Sequence, residues 1–261
     1  MNEPENTAVI EMRDASVGAM RDIRFIVLEE VNWSVARGEF WVVAGQQHSG
    51  KSDFLKMTAG LMAPVRGDCR LFGAETRTFD ESKLAERLRV GFVFAGGQLF
   101  NHLTLRENVA LPLEYHRGLP PDEVARAVQT LLELLELAPL AEVTPANVSG
   151  NWRQRAALAR ALMLKPELLL LDNPLAGLSP RHQHWWLRFL DRLWRGHDWC
   201  GGRPMTLVVT TEDLRPWRNE TRKFALLRDK KFFPLGAWND VASANDPVVK
   251  ELMAATVELT S

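Results

Sequence analysis

Gly45-Gln46-Gln47-His48-Ser49-Gly50-Lys51-Ser52 decides how this chain of 261 residues is read. It fits G-x-x-x-x-G-K-[ST], the pattern of a phosphate-binding loop. Ahead of it, the apolar run Phe40-Trp41-Val42-Val43-Ala44 predicts a buried strand. Behind it, Phe54, Leu55, Met57, Leu61 and Met62 recur at helical spacing. Strand, loop and helix together separate this motif from a chance glycine-rich turn. The glycines let the backbone curl until its N–H groups face an anion, and the helix that starts there adds its positive end. Lys51 is placed to reach the outer phosphates of a nucleoside triphosphate, and the Ser52 hydroxyl to bind Mg2+.

Composition narrows the class. A net charge of −1 gives no electrostatic argument for a nucleic-acid partner. Apolar residues make up 46%, enough for a substantial core, yet runs such as Leu168–Leu171 are far too short to cross a bilayer. Met1–Thr7 is polar and acidic, unlike a signal peptide. Cys69 and Cys200 lie far apart without metal-type spacing, so two free thiols in a reducing compartment are expected. The expectation is a soluble cytoplasmic protein.

Before the loop, Val9–Met12 and Val27–Val35 read as short strands. Phe25 is the one aromatic placed to stack on an adenine, although burial preference favours a core position for it. After the loop helix come a strand at Cys69–Phe72, a charged helix at Lys83–Arg89 and a strand at Val90–Phe94. Glu123–Leu137 has helical spacing, with Pro120-Pro121 marking its start. Pro145–Gly150 opens a helix over Trp152–Leu164, and Pro166 stops it. Leu168-Leu169-Leu170-Leu171-Asp172 reads as a buried strand that delivers a carboxylate to the magnesium beside the phosphates. A helix over Arg181–Arg195 follows, then strands at Met205–Thr210, Phe224–Leu227 and Lys231–Leu235. The alternation implies an α/β fold with a largely parallel sheet and ligand at the carboxyl ends of its strands.

Together these residues resemble an ABC-transporter ATPase subunit over nearly the whole chain. Gly45–Ser52 and Leu168–Asp172 match its two nucleotide motifs. Val148-Ser149-Gly150-Asn151-Trp152-Arg153-Gln154-Arg155 stands where the family writes L-S-G-G-Q-x-Q-R, and Pro174–Pro180 where it writes P-T-S-G-L-D-P. The resemblance implies one domain over residues 1–261: a P-loop NTPase core with an antiparallel β part and a helical subdomain at about 99–147. It implies ATP and Mg2+ as cofactors, with Gly45, Gln46, Gln47, His48, Ser49, Gly50, Lys51 and Ser52 holding the nucleotide. Ser52 and Asp172 would hold the metal. It also implies a second ABC ATPase subunit as partner, each ATP lying between one phosphate loop and the partner's signature (here Ser149, Gly150, Asn151 and Trp152). An integral-membrane permease would keep the chain on the inner face of the cell membrane. Within the family, Gly91–Leu113 and Asn245-Asp246-Pro247-Val248 are most similar to ATPases of MCE-type phospholipid transporters.

The departures cluster at catalytic positions. Where the family has a glutamate that polarises the attacking water stands Asn173. Its strand-end glutamine is Ala95, with Gln98 displaced along the loop, and its γ-phosphate histidine is Thr211. The second signature glycine and the glutamine are Asn151 and Trp152, and the D-loop aspartate is Ser179. An amide cannot take a proton from water, and a positioned general base is worth roughly 100- to 10,000-fold. Binding without brisk hydrolysis is therefore expected. Of two possible substitute bases, His48 is expected to face solvent, and Glu212 to reach the γ-phosphate only if its strand end shifts register.

Three functions compete: a transporter subunit with impaired hydrolysis, an active transporter ATPase using a nonstandard residue, and a soluble ABC protein without a membrane partner. The third usually carries paired ATPase domains or a coiled-coil insert, and this chain has neither. Leu99-Phe100-Asn101-His102-Leu103 is the expected docking surface for a permease helix, with burial in subdomain core an equal alternative for Leu99 and Leu103.

Overall fold

The fully apolar stretch before the phosphate loop forms a strand whose six residues are all buried, as its lack of alternation requires. The computed structural model describes residues 8–77 and 84–254. They form two compact units, residues 8–77 with 208–254, and residues 84–207.

In the first unit, β1 (Ala8–Ala19) and β2 (Asp22–Ala36) form a long antiparallel hairpin, with Met12 opposite Trp33 and Val17 opposite Leu28. Both strands outrun the short ones expected from sequence. Register shifts along the hairpin and exposed polar positions break the alternation that would have revealed their length. β3 (Phe40–Gly45) leads to α1 (Lys51–Thr58), followed by β4 (Arg66–Leu71) and β5 (Ala74–Glu75). β1, β2, β4 and β5 make one sheet in the order β2-β1-β4-β5. α1 is shorter than the spacing suggested. Gly60 turns left-handed at φ 70°, and Leu61 falls beyond the helix, half exposed.

The second unit begins with α2 (Leu84–Arg87) and β6 (Val90–Val93). Lys83, expected at the start of that helix, lies outside the described residues. α3 (Leu105–His116) starts with a capping box in which Thr104 and Glu107 exchange hydrogen bonds. α4 (Pro121–Leu134), two short 3-10 turns, α5 (Gly150–Leu162), β7 (Leu168–Leu171) and α6 (Pro180–Arg195) follow. No strand interrupts the described residues between β6 and β7. β6 and β7 pair in parallel, Val90 to Leu168 through Val93 to Leu171. α6 buries Trp186, Phe189, Leu190 and Leu193 and turns its arginines outward.

The chain passes back to the first unit within β8 (Thr206–Thr211). There β9 (Lys223–Arg228) pairs in parallel with β3, Gly45 opposite Leu227, and β10 (Lys231–Gly236) pairs antiparallel with β9. α7 (Trp238–Ser243) and α8 (Pro247–Met253) follow, two helices that the sequence does not predict. Each is under two turns long, too short for a helical period to repeat. Trp33 sits at the centre of an aromatic cluster, with Trp41, Phe54 and Phe232 at 5.3 to 5.5 Å. That cluster fixes α1 against the strands and so fixes the loop that begins it.

Candidate functional site

β3 ends at Gly45 and α1 begins at Lys51, so the intervening loop delivers the chain to a helix N-terminus. Gly50 adopts φ 88°, a conformation glycine accepts without strain. A Cβ on Gly45 would stand 2.4 Å from Ser49 Oγ and 3.0 Å from the Leu227 carbonyl, so only glycine fits the curl. Lys51 is 6% exposed, and its ammonium donates to the Gly45 carbonyl at 2.8 Å and the Gln46 carbonyl at 2.5 Å. These bonds hold the lysine folded over its own loop. Gln46, Gln47 and His48 are exposed, Ser49, Gly50 and Ser52 half-buried. Gln46 also donates to Glu251 of α8 at 2.7 Å, tying the loop to a helix that sequence did not reveal.

Glu212, expected to reach the γ-phosphate only if its strand end shifts register, has its Oε1 3.2 Å from Lys51 Nζ. Thr211 points inward, 3% exposed, and its hydroxyl is fully used: it donates to the Asp213 carbonyl at 2.9 Å and accepts from the Asp213 N–H and the Trp217 indole, both at 3.1 Å. Alternation along the strand then sends Glu212 outward to the phosphate loop. Phe25 is a correction: it is 61% exposed on β2 rather than core, with Lys230 Nζ 5.4 Å from its ring centre.

In the second unit, Ala95, Ser149, Gly150, Asn151, Asn173 and Ser179 line one cavity of about 500 Å³. Two of the expected catalytic positions and most of the signature thus meet, although they are far apart in sequence. No carboxylate among the described residues lines this cavity. Asn151 is 5% exposed, and neither its amide oxygen nor its nitrogen has a hydrogen-bond partner among the described residues. Asn173 adopts φ 48°, where asparagine is among the better-tolerated side chains. Asp172 precedes it, 5% exposed, its N–H donating to the Val93 carbonyl at 2.9 Å. Gln98 is exposed, and the carbonyl of its own residue accepts from Arg160 at 3.0 Å. Trp152 is absent from the lining of this cavity; it faces a second one, with the Arg155 guanidinium 4.8 Å from its ring centre.

Sequence reasoning missed two residues here. His182 lines the Asn173 cavity, with Nδ1 3.3 Å from Ser179 Oγ. Its position three residues into the helix after Ser179 was the available signal. Asn108, fully buried, clasps the Phe100–Thr104 turn: its oxygen accepts from the Phe100 N–H at 2.8 Å. Its amide nitrogen donates to the Phe100 carbonyl at 3.0 Å and the Thr104 carbonyl at 2.9 Å. The turn presents Phe100 at 53% exposure, with Leu99 and Leu103 half-buried.

A strand, a glycine-curled loop and a helix carrying an inward lysine define a P-loop protein that binds nucleoside triphosphates. The family model for ABC transporters matches residues 28–176, and the chain belongs to that family. It is 33% identical over 230 residues to the sulfate/thiosulfate import ATP-binding protein CysA of Mesorhizobium japonicum. That match covers 87% of this chain and 64% of the relative, so the chain spans less than two thirds of that protein's length. It is 28% identical over 250 residues to the intermembrane phospholipid transport system ATP-binding protein MlaF of Escherichia coli K12, covering 94% and 91%. Among solved structures, it superposes with a TM-score of 0.74 on the dimeric post-hydrolysis state of the ATP-binding cassette MJ0796 bound to ADP and Pi. There the identity is 29%, with 85% of this chain and 95% of that one covered. The ABC cassette binds ATP with Mg2+. The Gly45–Ser52 cradle fits the phosphates. Among the described residues no cluster of three acidic, His or Cys residues would hold a metal ion. No helix among the described residues is long and apolar enough to cross a membrane.

Proposed function

We propose that this chain is a nucleotide-binding subunit of an ABC transporter with impaired or absent hydrolysis. It closes on Mg-ATP with a second ABC ATPase subunit and drives or regulates the passage of lipid through an integral-membrane permease. The observation that carries the reading is the contrast between the two units. The phosphate loop keeps its lysine and glycines, whereas the cavity of Ala95 and Asn173 offers, among the described residues, amides, hydroxyls and one imidazole but no carboxylate. Binding energy survives there and the general base does not. Ser52 and Asp172 are the Mg2+ ligands of this reading, and Gly45–Lys51 the phosphate contacts. Lipid as cargo rests on the near full-length similarity to MlaF. Phe100 supplies the permease contact, placing the chain at the cytoplasmic face of the membrane. The balanced charge of the chain supplies no field for nucleic acid.

A second reading has one observation in its favour: Glu212 brings a carboxylate to the phosphate loop. In it, the chain is an active ATPase and Glu212 is the base. Phosphate release by the purified protein, by Lys51→Ala and by Glu212→Gln separates the two. Slow release that Glu212→Gln leaves unchanged supports impaired hydrolysis. Brisk release abolished by both substitutions overturns it in favour of Glu212.

A further inference from the structure

The second cavity of the helical unit, also about 500 Å³, lies between the signature end of α5 and α6. Four arginines line it, Arg155, Arg181, Arg188 and Arg192, against a single carboxylate, Glu136. Arg181, Arg188 and Arg192 recur at helical spacing on one face of α6, and all three are exposed. None of them pairs with a carboxylate among the described residues. The fourth is different. Arg155 has a side chain only 3% exposed, pairs with Glu136 at 2.7 Å and lies 3.6 Å from the centre of the Trp185 ring. Its Nε is buried without a hydrogen-bond partner. Trp185 is in turn stacked on Phe189, with ring planes 5° apart. The cavity therefore has a rigid aromatic floor and a cationic rim.

We propose that this cavity is a binding site for a small molecule carrying two or more phosphate or carboxylate groups, separate from the phosphate loop. Guanidinium forks match the paired oxygens of both groups, and three on one helix face gather charges that no one of them would hold firmly. Glu136 is already taken by Arg155 and by the Trp185 indole at 3.1 Å, so it neutralises one arginine and leaves the rim positive. The volume is that of a small-molecule pocket. Trp152 in its wall follows Asn151 of the signature, and His182 lines this cavity and the Asn173 cavity alike. A ligand seated here touches the signature directly.

The test is calorimetric titration of the full chain at constant ionic strength with inorganic tripolyphosphate and with citrate. Lys51→Ala is the background, so that the phosphate loop contributes little. Both probes are expected to bind, and Arg188→Ala with Arg192→Ala to weaken them at least tenfold. A thermal melt confirms that this double variant is folded, and Arg126→Ala on α4 serves as the control for diffuse surface charge. Binding of tripolyphosphate alone narrows the ligand to phosphates. No binding to the Lys51→Ala protein overturns the proposal. So does affinity unchanged in the folded double variant, or an equal loss in Arg126→Ala. Where the double variant fails to fold, Arg188→Ala alone, with threefold or greater weakening expected, decides by the same criteria.

Discussion

Glu212 Oε1 stands 3.2 Å from the Nζ of Lys51, the ammonium that also bridges the Gly45 and Gln46 carbonyls. A lysine has three N–H donors, and two are committed to the loop. The same Nζ lies 3.4 Å from Ser49 Oγ and close to Glu212, so a phosphate oxygen must compete with this carboxylate. Lys51 is buried but Glu212 is open to solvent, which screens the pair and holds its contribution to about 1 kcal/mol. Glu212→Gln is accordingly expected to tighten Mg-ATP binding by up to about fivefold, and Lys51→Ala to abolish it. Titration with a fluorescent ATP analogue measures both; weaker binding in Glu212→Gln contradicts the competition.

Asn173→Glu restores a base at the price of local strain. At φ 48° a glutamate costs about 1 kcal/mol, which lowers Tm by about 2–4 °C in a chain of this size. Phosphate release is expected to rise, but by less than about 100-fold, because Ala95 adds no contact and the Thr211 hydroxyl is committed to its turn. A rise beyond that would show that the base alone was limiting.

Asn108→Ala removes the clasp on the Phe100 turn. It takes the partner from the part-buried Phe100 N–H and carbonyl, at a cost of about 1 kcal/mol, visible as a lower midpoint in urea. Phe100→Asp, at an exposed position, is expected to change stability by about 0.5 kcal/mol or less while releasing the chain from membranes in a flotation assay. Retention on membranes would place the permease contact elsewhere.

His197 sets a pH dependence. Burial first, and then the Arg192 guanidinium 3.0 Å from Nε2, hold its pKa below the ordinary histidine range. Its Nδ1 accepts from the Trp199 N–H at 3.1 Å. Because the folded state binds a proton less readily than the unfolded one, stability is full above the unfolded histidine value of about 6.5 and is lost as pH falls below it. Urea midpoints at pH 7.5 and pH 5.5 are expected to separate less in His197→Gln than in the wild type. An unchanged difference would assign the pH dependence to other groups.

Burial pushes the thiols of Cys69 and Cys200 up to about 11 each. At pH 8 neither holds an appreciable thiolate fraction. Both are expected to resist iodoacetamide in the native protein and to react once it is unfolded, as intact-mass measurement would show. Rapid native labelling of Cys69 would contradict its burial.

The sequence alone determined whatever depends on neighbours along the chain. The apolar run at Phe40–Ala44, the glycines at 45 and 50, Lys51, and the four leucines before Asp172 each carry their conformation within a few residues, through periodicity, left-handed tolerance and the start of a helix. Asn173 and Ala95 could be set against the family's catalytic positions through the resemblance, since they stand at fixed offsets from strands that sequence locates. Tertiary structure decided which side chains those elements aim at one another. Whether Thr211 or Glu212 faces the phosphate loop depends on the turn that consumes the Thr211 hydroxyl. The exposure of Phe25 depends on what packs against β2, and the fate of Trp152 on Arg155, Trp185 and the cations of α6. A strand or helix forms from local energies. A salt bridge or a cavity needs residues distant in sequence to arrive at the same place, and only the folded chain brings them there.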